Sequence, residues 1–160
     1  MIKQGDPKLV ANAFNNRGIA YYDTDDFDAA IADYTEAIRL DPTMANAFSN
    51  RGNAYQRKPD HDKAIIDFSE AIRLDPKHIN AHLGRGSSYL VRDNFYPAIT
   101  DFDEVIRQDP NNVLALYRRG LAKAQKGDMT DGEADFARAR ELNPAIGRYC
   151  TPGLILSCQP

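Results

Sequence analysis

Ala45-Asn46-Ala47-Phe48-Ser49-Asn50-Arg51-Gly52-Asn53-Ala54-Tyr55 opens a stretch, residues 45 to 76, that runs through Asp67-Phe68 and closes on Ala71-Ile72-Arg73-Leu74-Asp75-Pro76. Most of the remaining chain repeats it. Asp-Pro recurs at 41/42, 75/76 and 109/110, with Asn143-Pro144 one step further on. Arg-Gly recurs at 17/18, 51/52, 85/86 and 119/120, always 34 residues apart. A fixed period of this size marks stacked supersecondary units, each burying its apolar face on its neighbours.

Counting from Ala11, Ala45, Ile79 and Val113, the same kinds of residue fall in step. A large residue stands at Phe14, Phe48, His82 and Leu116, a glycine at Gly18, Gly52, Gly86 and Gly120, and an aromatic at Tyr21, Tyr55 and Tyr89. The second half of each unit supplies Ala30, Ala64 and Ala98, then Tyr34, Phe68, Phe102 and Phe136, then Ala37, Ala71, Val105 and Ala139, and ends at Pro42, Pro76, Pro110 and Pro144. On these residues the chain, over 11 to 144, resembles the tetratricopeptide repeat (TPR) family, whose unit is two antiparallel helices. It departs from the family pattern in placing Arg at the usual leucine position throughout. The fourth unit also departs, with Lys123 for Tyr and Gly132 for Ala. The resemblance implies an all-α TPR α-solenoid of four helix-turn-helix repeats in a right-handed superhelix.

The expected organisation is a lead-in over 1–8, four units within 9–144 (11–44, 45–78, 79–112 and 113–144), and a C-terminal cap or tail over 145–160. Helix A of each unit is expected near 9–22, 44–57, 78–91 and 112–125. The B helices are expected near 27–40, 61–74, 95–108 and 129–142. Asp26, Asp60, Asn94 and Asp128 stand where an N-cap is wanted. Each B helix should stop before its Asp-Pro or Asn-Pro, because the residue before proline is pushed out of the α region. Asp6-Pro7 resembles the tail of an earlier repeat. In the tail, Leu154-Ile155-Leu156 would cover the fourth unit, stay disordered or enter a groove on a neighbouring molecule.

Composition narrows the function. A formal net charge of -3 and a pI near 5.6, with no basic run, argue against nucleic acid as the main partner. The longest apolar run of the tail is too short to span a membrane, and Met1-Ile2-Lys3-Gln4-Gly5-Asp6 lacks the apolar core of a signal peptide, so a cytoplasmic location is expected. No catalytic constellation appears and no cofactor is implied. His78 and His82 have the i,i+4 spacing of two metal ligands but no evident third, and His82 falls on a packing position, so no metal is expected. Cys150 and Cys158 lack a Cys-x-x-Cys motif and read as free thiols or, in an oxidising compartment, a disulfide. Asp25, Asp26 and Asp28 read as a solvated helix start.

Two repeated polar patterns remain. Arg17, Arg51, Arg85 and Arg119 run in register with Asp33, Asp67, Asp101 and Asp135, which predicts an A-to-B salt bridge in each unit, with Gly18, Gly52, Gly86 and Gly120 as the close helix contacts. Asn12, Asn15, Asn16, Asn46, Asn50, Asn53 and Asn80 all fall on A helices, although asparagine costs a helix about half a kcal/mol against alanine. In the family, that face of helix A lines the concave groove. An amide both donates and accepts, so these residues could clamp the backbone of an extended peptide, in an arrangement similar to the asparagine ladder of the O-GlcNAc transferase repeat superhelix. The bland alternative is a merely wetted groove. The carboxylate clamp of chaperone-binding TPR domains fits poorly, since its basic and amide positions in the first three units hold Asn15, Ile19, Asn50, Asn80 and Gly84. Leu114, Tyr117, Arg118 and Leu121 give the fourth unit a different lining, suited to an apolar or acidic side chain. The expected function is therefore a non-enzymatic scaffold holding a protein or peptide segment in its groove. The alternatives are a homo-oligomer stacking through its terminal repeats and a regulatory domain of a larger protein.

Overall fold

The computed structural model describes residues 6–146; Cys150, Cys158 and Leu154-Ile155-Leu156 lie outside them. Among the described residues there are eight α-helices and no strand: α1 (Pro7–Asp23), α2 (Phe27–Leu40), α3 (Ala45–Arg57), α4 (His61–Leu74), α5 (Ile79–Val91), α6 (Phe95–Gln108), α7 (Val113–Lys126) and α8 (Met129–Leu142). The fold is an all-α array of helical repeats. It forms two compact units, Met1–Ser88 and Tyr89–Pro160, divided within α5. In the first, α1 packs on α2, α2 on α3 and α3 on α4; in the second, α6 packs on α7 and α7 on α8.

Local sequence sets the helix ends. Asp41, Asp75, Asp109 and Asn143 are extended at ψ between 90° and 97°, each one residue ahead of its proline, and each N–H still closes the last turn. Asp26 and Asp60 cap their helices, accepting from Ala29 N at 3.1 Å and Lys63 N at 3.2 Å. Asn94 and Asp128 make no such bond; Asp128 instead accepts from Lys126 Nζ at 2.6 Å. The turn before α8 is closed by Gly127 at φ 108°, a conformation glycine adopts without steric cost. α1 starts a full turn ahead of the repeat register, with Asp6 as its cap and Pro7 at its first position, where a missing N–H costs nothing. Asp25 and Asp28, expected as solvated charges, are exposed but ion-paired. Arg57 Nη2 meets Asp25 at 2.8 Å, and Lys58 Nζ meets Asp28.

The core of the first unit is a row of aromatic rings, each shared between hairpins. Phe68 packs with Ala64, Ala71 and Ala81, flanked by Phe48, Tyr55 and Ile72. Tyr34 packs with Ala30 and Ala54, flanked by Tyr21, Tyr22 and Ile31. Burial pushes the Tyr34 hydroxyl pKa up to about 12. In the second unit Phe102, Val105, Leu116, Phe136 and Ala139 are buried, and the Tyr117 and Phe136 rings lie 5.4 Å apart. The repeated glycines make room for these rings. A Cβ on Gly18 would fall 2.6 Å from Tyr34, and one on Gly52 2.8 Å from Phe68. Gly132, at the position where the other B helices carry alanine, has its own reason. A Cβ there would stand 2.8 Å from the carbonyl oxygen of Gly120, so α7 and α8 approach closely enough to exclude even a methyl group.

The arginines tie the hairpins together. Arg17 donates from Nε and Nη2 to both carboxylate oxygens of Asp33, at 2.6 and 2.7 Å. Arg51 does the same to Asp67 at 2.7 and 2.8 Å, and Arg119 to Asp135. The third nitrogen reaches the preceding B helix. Arg51 Nη1 donates to Thr35 Oγ1 at 3.0 Å, Arg85 Nη1 to Ser69 Oγ at 3.1 Å, and Arg119 Nη1 to Asp103 Oδ1 at 2.6 Å. The planar five-donor guanidinium suits this two-sided role, which no leucine at the position could fill. Burial alone would raise the Asp135 pKa, but hydrogen bonds from Arg119 and Lys123 hold it below the ordinary carboxylate value. Arg85 lies in the first unit and Asp101 in the second.

Two outcomes follow from this packing. Gly52→Leu should lower stability by roughly 1–3 kcal/mol, since the Phe68 ring has no free space to move into, and a thermal melt of the variant measures it. An Arg51/Asp67 double-mutant cycle to alanine should show coupling above the roughly 0.2–1 kcal/mol of exposed pairs, because Asp67 is almost fully enclosed. Additive losses in chemical denaturation would contradict it.

Candidate functional site

The amide-bearing residues of the first unit come from successive A helices, and the repeat places them at equivalent positions. Asn12, Asn46 and Asn80 stand second in α1, α3 and α5 when counted from Ala11, Ala45 and Ile79, and all three are exposed. Asn16 is exposed as well. Asn50 and Asn53 are half-buried, and Asn15 is buried at 9% exposure.

These amides divide into two sets. One set joins helix A to helix A. Asn50 Nδ2 donates to Asn15 Oδ1 at 3.0 Å, linking α3 to α1. His78 bridges α3 to the start of α5: its Nδ1 accepts the Ala81 N–H at 3.2 Å, which leaves the proton on Nε2 to be donated to Asn46 Oδ1 at 3.0 Å. Gln56 Nε2 donates to the Gly84 carbonyl at 2.9 Å and lies 2.8 Å from Ser88 Oγ. The other set is available. Among the described residues the side chains of Asn12, Asn16, Asn53 and Asn80 make no hydrogen bond, and Asn46 keeps its NH₂ free. Both nitrogens of His78 are therefore in use as cap and bridge. His82 is buried, with Nε2 3.1 Å from the Pro76 carbonyl.

Gln56 and the bridging role of His78 are the site features that the sequence does not disclose. Gln56 lies one turn beyond Asn53 on α3, and only the approach of α5 supplies its acceptors. In the second unit Leu114, Tyr117, Arg118 and Leu121 are each half-buried on α7. Burial lowers the Arg118 pKa and raises that of Tyr117, so each has an apolar environment around a polar tip. Among the described residues no group of His, Cys, Asp and Glu side chains is arranged to hold a metal ion, and no helix is long and apolar enough to cross a membrane.

Asparagines that look alike in sequence should thus respond oppositely. Asn50→Ala leaves the buried Asn15 amide without its donor and should cost about 1–3 kcal/mol. Asn12→Ala with Asn80→Ala should leave the melting temperature equal or higher, because alanine is the better helix former and both sites are exposed. Paired thermal melts test the contrast.

The chain matches family profiles described as TPR repeat over residues 18–58 and as tetratricopeptide repeat over residues 45–78 and 81–145. No curated protein matches it at a significant level. Among solved structures it is similar to MamA, with 25% identity, a TM-score of 0.80, and 88% of this chain and 82% of that one covered. It is similar to the first TPR of Spaghetti (RPAP3) bound to the HSP90 peptide SRMEEVD, with 26% identity, a TM-score of 0.72, and 75% and 96% covered. It is also similar to the second TPR domain of human RPAP3 in complex with the HSP70 peptide SGPTIEEVD, with 27% identity, a TM-score of 0.71, and 73% and 98% covered.

Proposed function

The chain belongs to the tetratricopeptide repeat family, and from that premise we propose that it is a protein–protein interaction module, not a catalyst, which holds an extended segment of a partner against the asparagines of its A helices. The observation that carries this reading is the exposure of Asn12, Asn46 and Asn80 at one repeated position on three successive A helices. Each costs helix stability that a solvated lysine or glutamate would cost less. Asn12 and Asn80 each offer a free donor and a free acceptor, and Asn46 a free donor, spaced by the repeat as a peptide backbone requires of a partner that does not read its side chains. Two similar structures hold peptides, which supports peptide binding as the mode.

Those two peptides both end in Glu-Glu-Val-Asp. Chaperone-binding TPR grooves hold such tails with basic side chains, and this chain has Asn15, Ile19, Asn80 and Gly84 at the corresponding places besides Asn50. The partner segment is therefore taken to be one bound through its backbone and not through a terminal carboxylate. In the second unit Leu114, Tyr117, Arg118 and Leu121 are proposed as a contact of their own, for an apolar or acidic side chain.

The test is a selection of extended peptides from a displayed random library, followed by anisotropy titration of those recovered, alongside SRMEEVD and SGPTIEEVD. Asn12→Ala with Asn80→Ala should weaken the selected peptides roughly tenfold, as two lost hydrogen bonds of about 0.5–1.5 kcal/mol each imply. The two acidic peptides should bind more weakly than any selected one. Affinity that survives the double substitution but falls with Tyr117→Ala would overturn the amide reading in favour of the second unit.

A further inference from the structure

One amide of the asparagine set is held in a single orientation. Asn46 is exposed, and its Oδ1 lies 3.0 Å from Nε2 of His78, the residue just ahead of α5. The other ring nitrogen faces the backbone. The Ala81 N–H reaches His78 Nδ1 at 3.2 Å and is shared with the His78 carbonyl oxygen, 3.1 Å from the same nitrogen. A ring nitrogen that receives an N–H carries no proton of its own, so the neutral imidazole has its proton on Nε2. That proton requires an acceptor, and the acceptor of an amide is its oxygen. A backbone N–H of α5 thus decides, through the imidazole, that Asn46 turns its oxygen to His78 and its NH₂ away from it.

Asn12 is not held this way. Met44 stands ahead of α3 where His78 stands ahead of α5, and a thioether has no proton to donate. Among the described residues the Asn12 side chain makes no hydrogen bond, so either end of its amide can face a partner. The capping half of the His78 role has a counterpart in the second unit. Asn112, at the same place ahead of α7, accepts the Ala115 N–H on Oδ1 at 3.0 Å and turns its Nδ2 to Asp109 at 3.2 Å. Asp75 stands at that last position ahead of His78. An asparagine at 78 would therefore cap α5 and spend its amide protons on Asp75, leaving Asn46 unheld.

We propose that His78 is a positioning residue of the peptide-binding face: it fixes Asn46 as a donor only, so that a bound segment presents a backbone carbonyl oxygen there, whereas Asn12 takes either side of a peptide group. The inference rests on the peptide-binding reading above and adds a specificity to it.

The ring is tested first, with no partner present. A long-range proton–nitrogen NMR spectrum of the full chain above neutral pH should show the His78 proton on Nε2, and a proton on Nδ1 would overturn the proposal. The second probe is the tightest-binding peptide of the displayed-library selection, resynthesised in two series. A thioamide at each position in turn weakens one carbonyl as an acceptor, and an N-methyl group at each removes one donor. One thioamide should weaken binding to the unaltered chain roughly two- to tenfold and have no further effect on Asn46→Ala, as a single shared hydrogen bond implies. Coupling of Asn46→Ala to an N-methyl position instead, or to no position, overturns the proposal. His78→Asn should keep the melting temperature, because the cap survives, yet shrink the thioamide coupling, because a released amide spends part of its time turned the other way. A coupling unchanged in His78→Asn would reduce His78 to a helix cap and overturn its assigned role. Peptides that weaken with Asn12→Ala and Asn80→Ala but show no coupling to Asn46 would sink this inference and leave the amide reading standing; peptides that respond to no asparagine would sink both.

Discussion

The structure of the first unit depends on a ring held between two glycines. A Cβ on Gly52 would stand 2.8 Å from Phe68 and one on Gly84 2.4 Å from the same ring. The two A helices that flank Phe68 are thus both brought to the distance at which only a glycine fits. Glycine in a helix costs roughly 1 kcal/mol against alanine, and full burial of a phenylalanine side chain returns about 1.5–3 kcal/mol, before its dispersion contacts with both neighbours. Because the Phe68 ring belongs to one hairpin and also packs on Ala81 and Gly84 of the next, that hairpin has no complete core alone. Stability becomes a matter of interfaces between neighbours, as in other repeat arrays.

The arginines follow from the same constraint. Once the helices are that close, the carboxylates of Asp33, Asp67 and Asp135 are enclosed, and an enclosed carboxylate must be paired and hydrogen-bonded to be tolerated. A bidentate guanidinium meets the need with two donors and has another left for the preceding helix. Its stem and face are not idle either, since Arg17 lies 5.2 Å from the Phe14 ring centre and Arg51 5.8 Å from that of Phe48. The substitution of arginine for the family's usual leucine is thus a different solution at one position, polar inside the hairpin and polar toward its neighbour. In α3, α5 and α7 the same guanidinium also reaches the preceding B helix.

The asparagines serve the array and its surface together. Asn15 and Asn50 hold α1 to α3, and Asn46 accepts from His78 at the start of α5, so part of the amide set fixes the spacing at which the exposed part is displayed. In the proposed function, donors and acceptors held at intervals set by helix packing would lower the ordering cost of binding.

The hairpin pattern, the helix ends and the pairing of Arg17, Arg51 and Arg119 with Asp33, Asp67 and Asp135 were legible in the sequence, because each is enforced by a local rule repeated at a fixed period: proline after the B helix, a small residue opposite an aromatic, opposite charges in register. Tertiary structure alone decided the rest. Asn50 and Asn12 have the same local chemistry, but only the approach of α1 to α3 puts one against the Asn15 carbonyl and leaves the other in solvent. Gln56 and His78 became bridges because α5 brings its backbone and first turn to them. Gly132 departs from the repeat pattern in sequence, and the structure shows why: α7 and α8 approach there too closely for a methyl group. Ala13 and Ala20 stand at repeated positions that are buried in α3, α5 and α7, and they lie exposed because α1 has no B helix ahead of it among the described residues. Period and residue type fix what a helix can bury or bond; which groups are buried or bonded depends on which neighbour arrives, and that distance is set by packing between helices and not by local sequence.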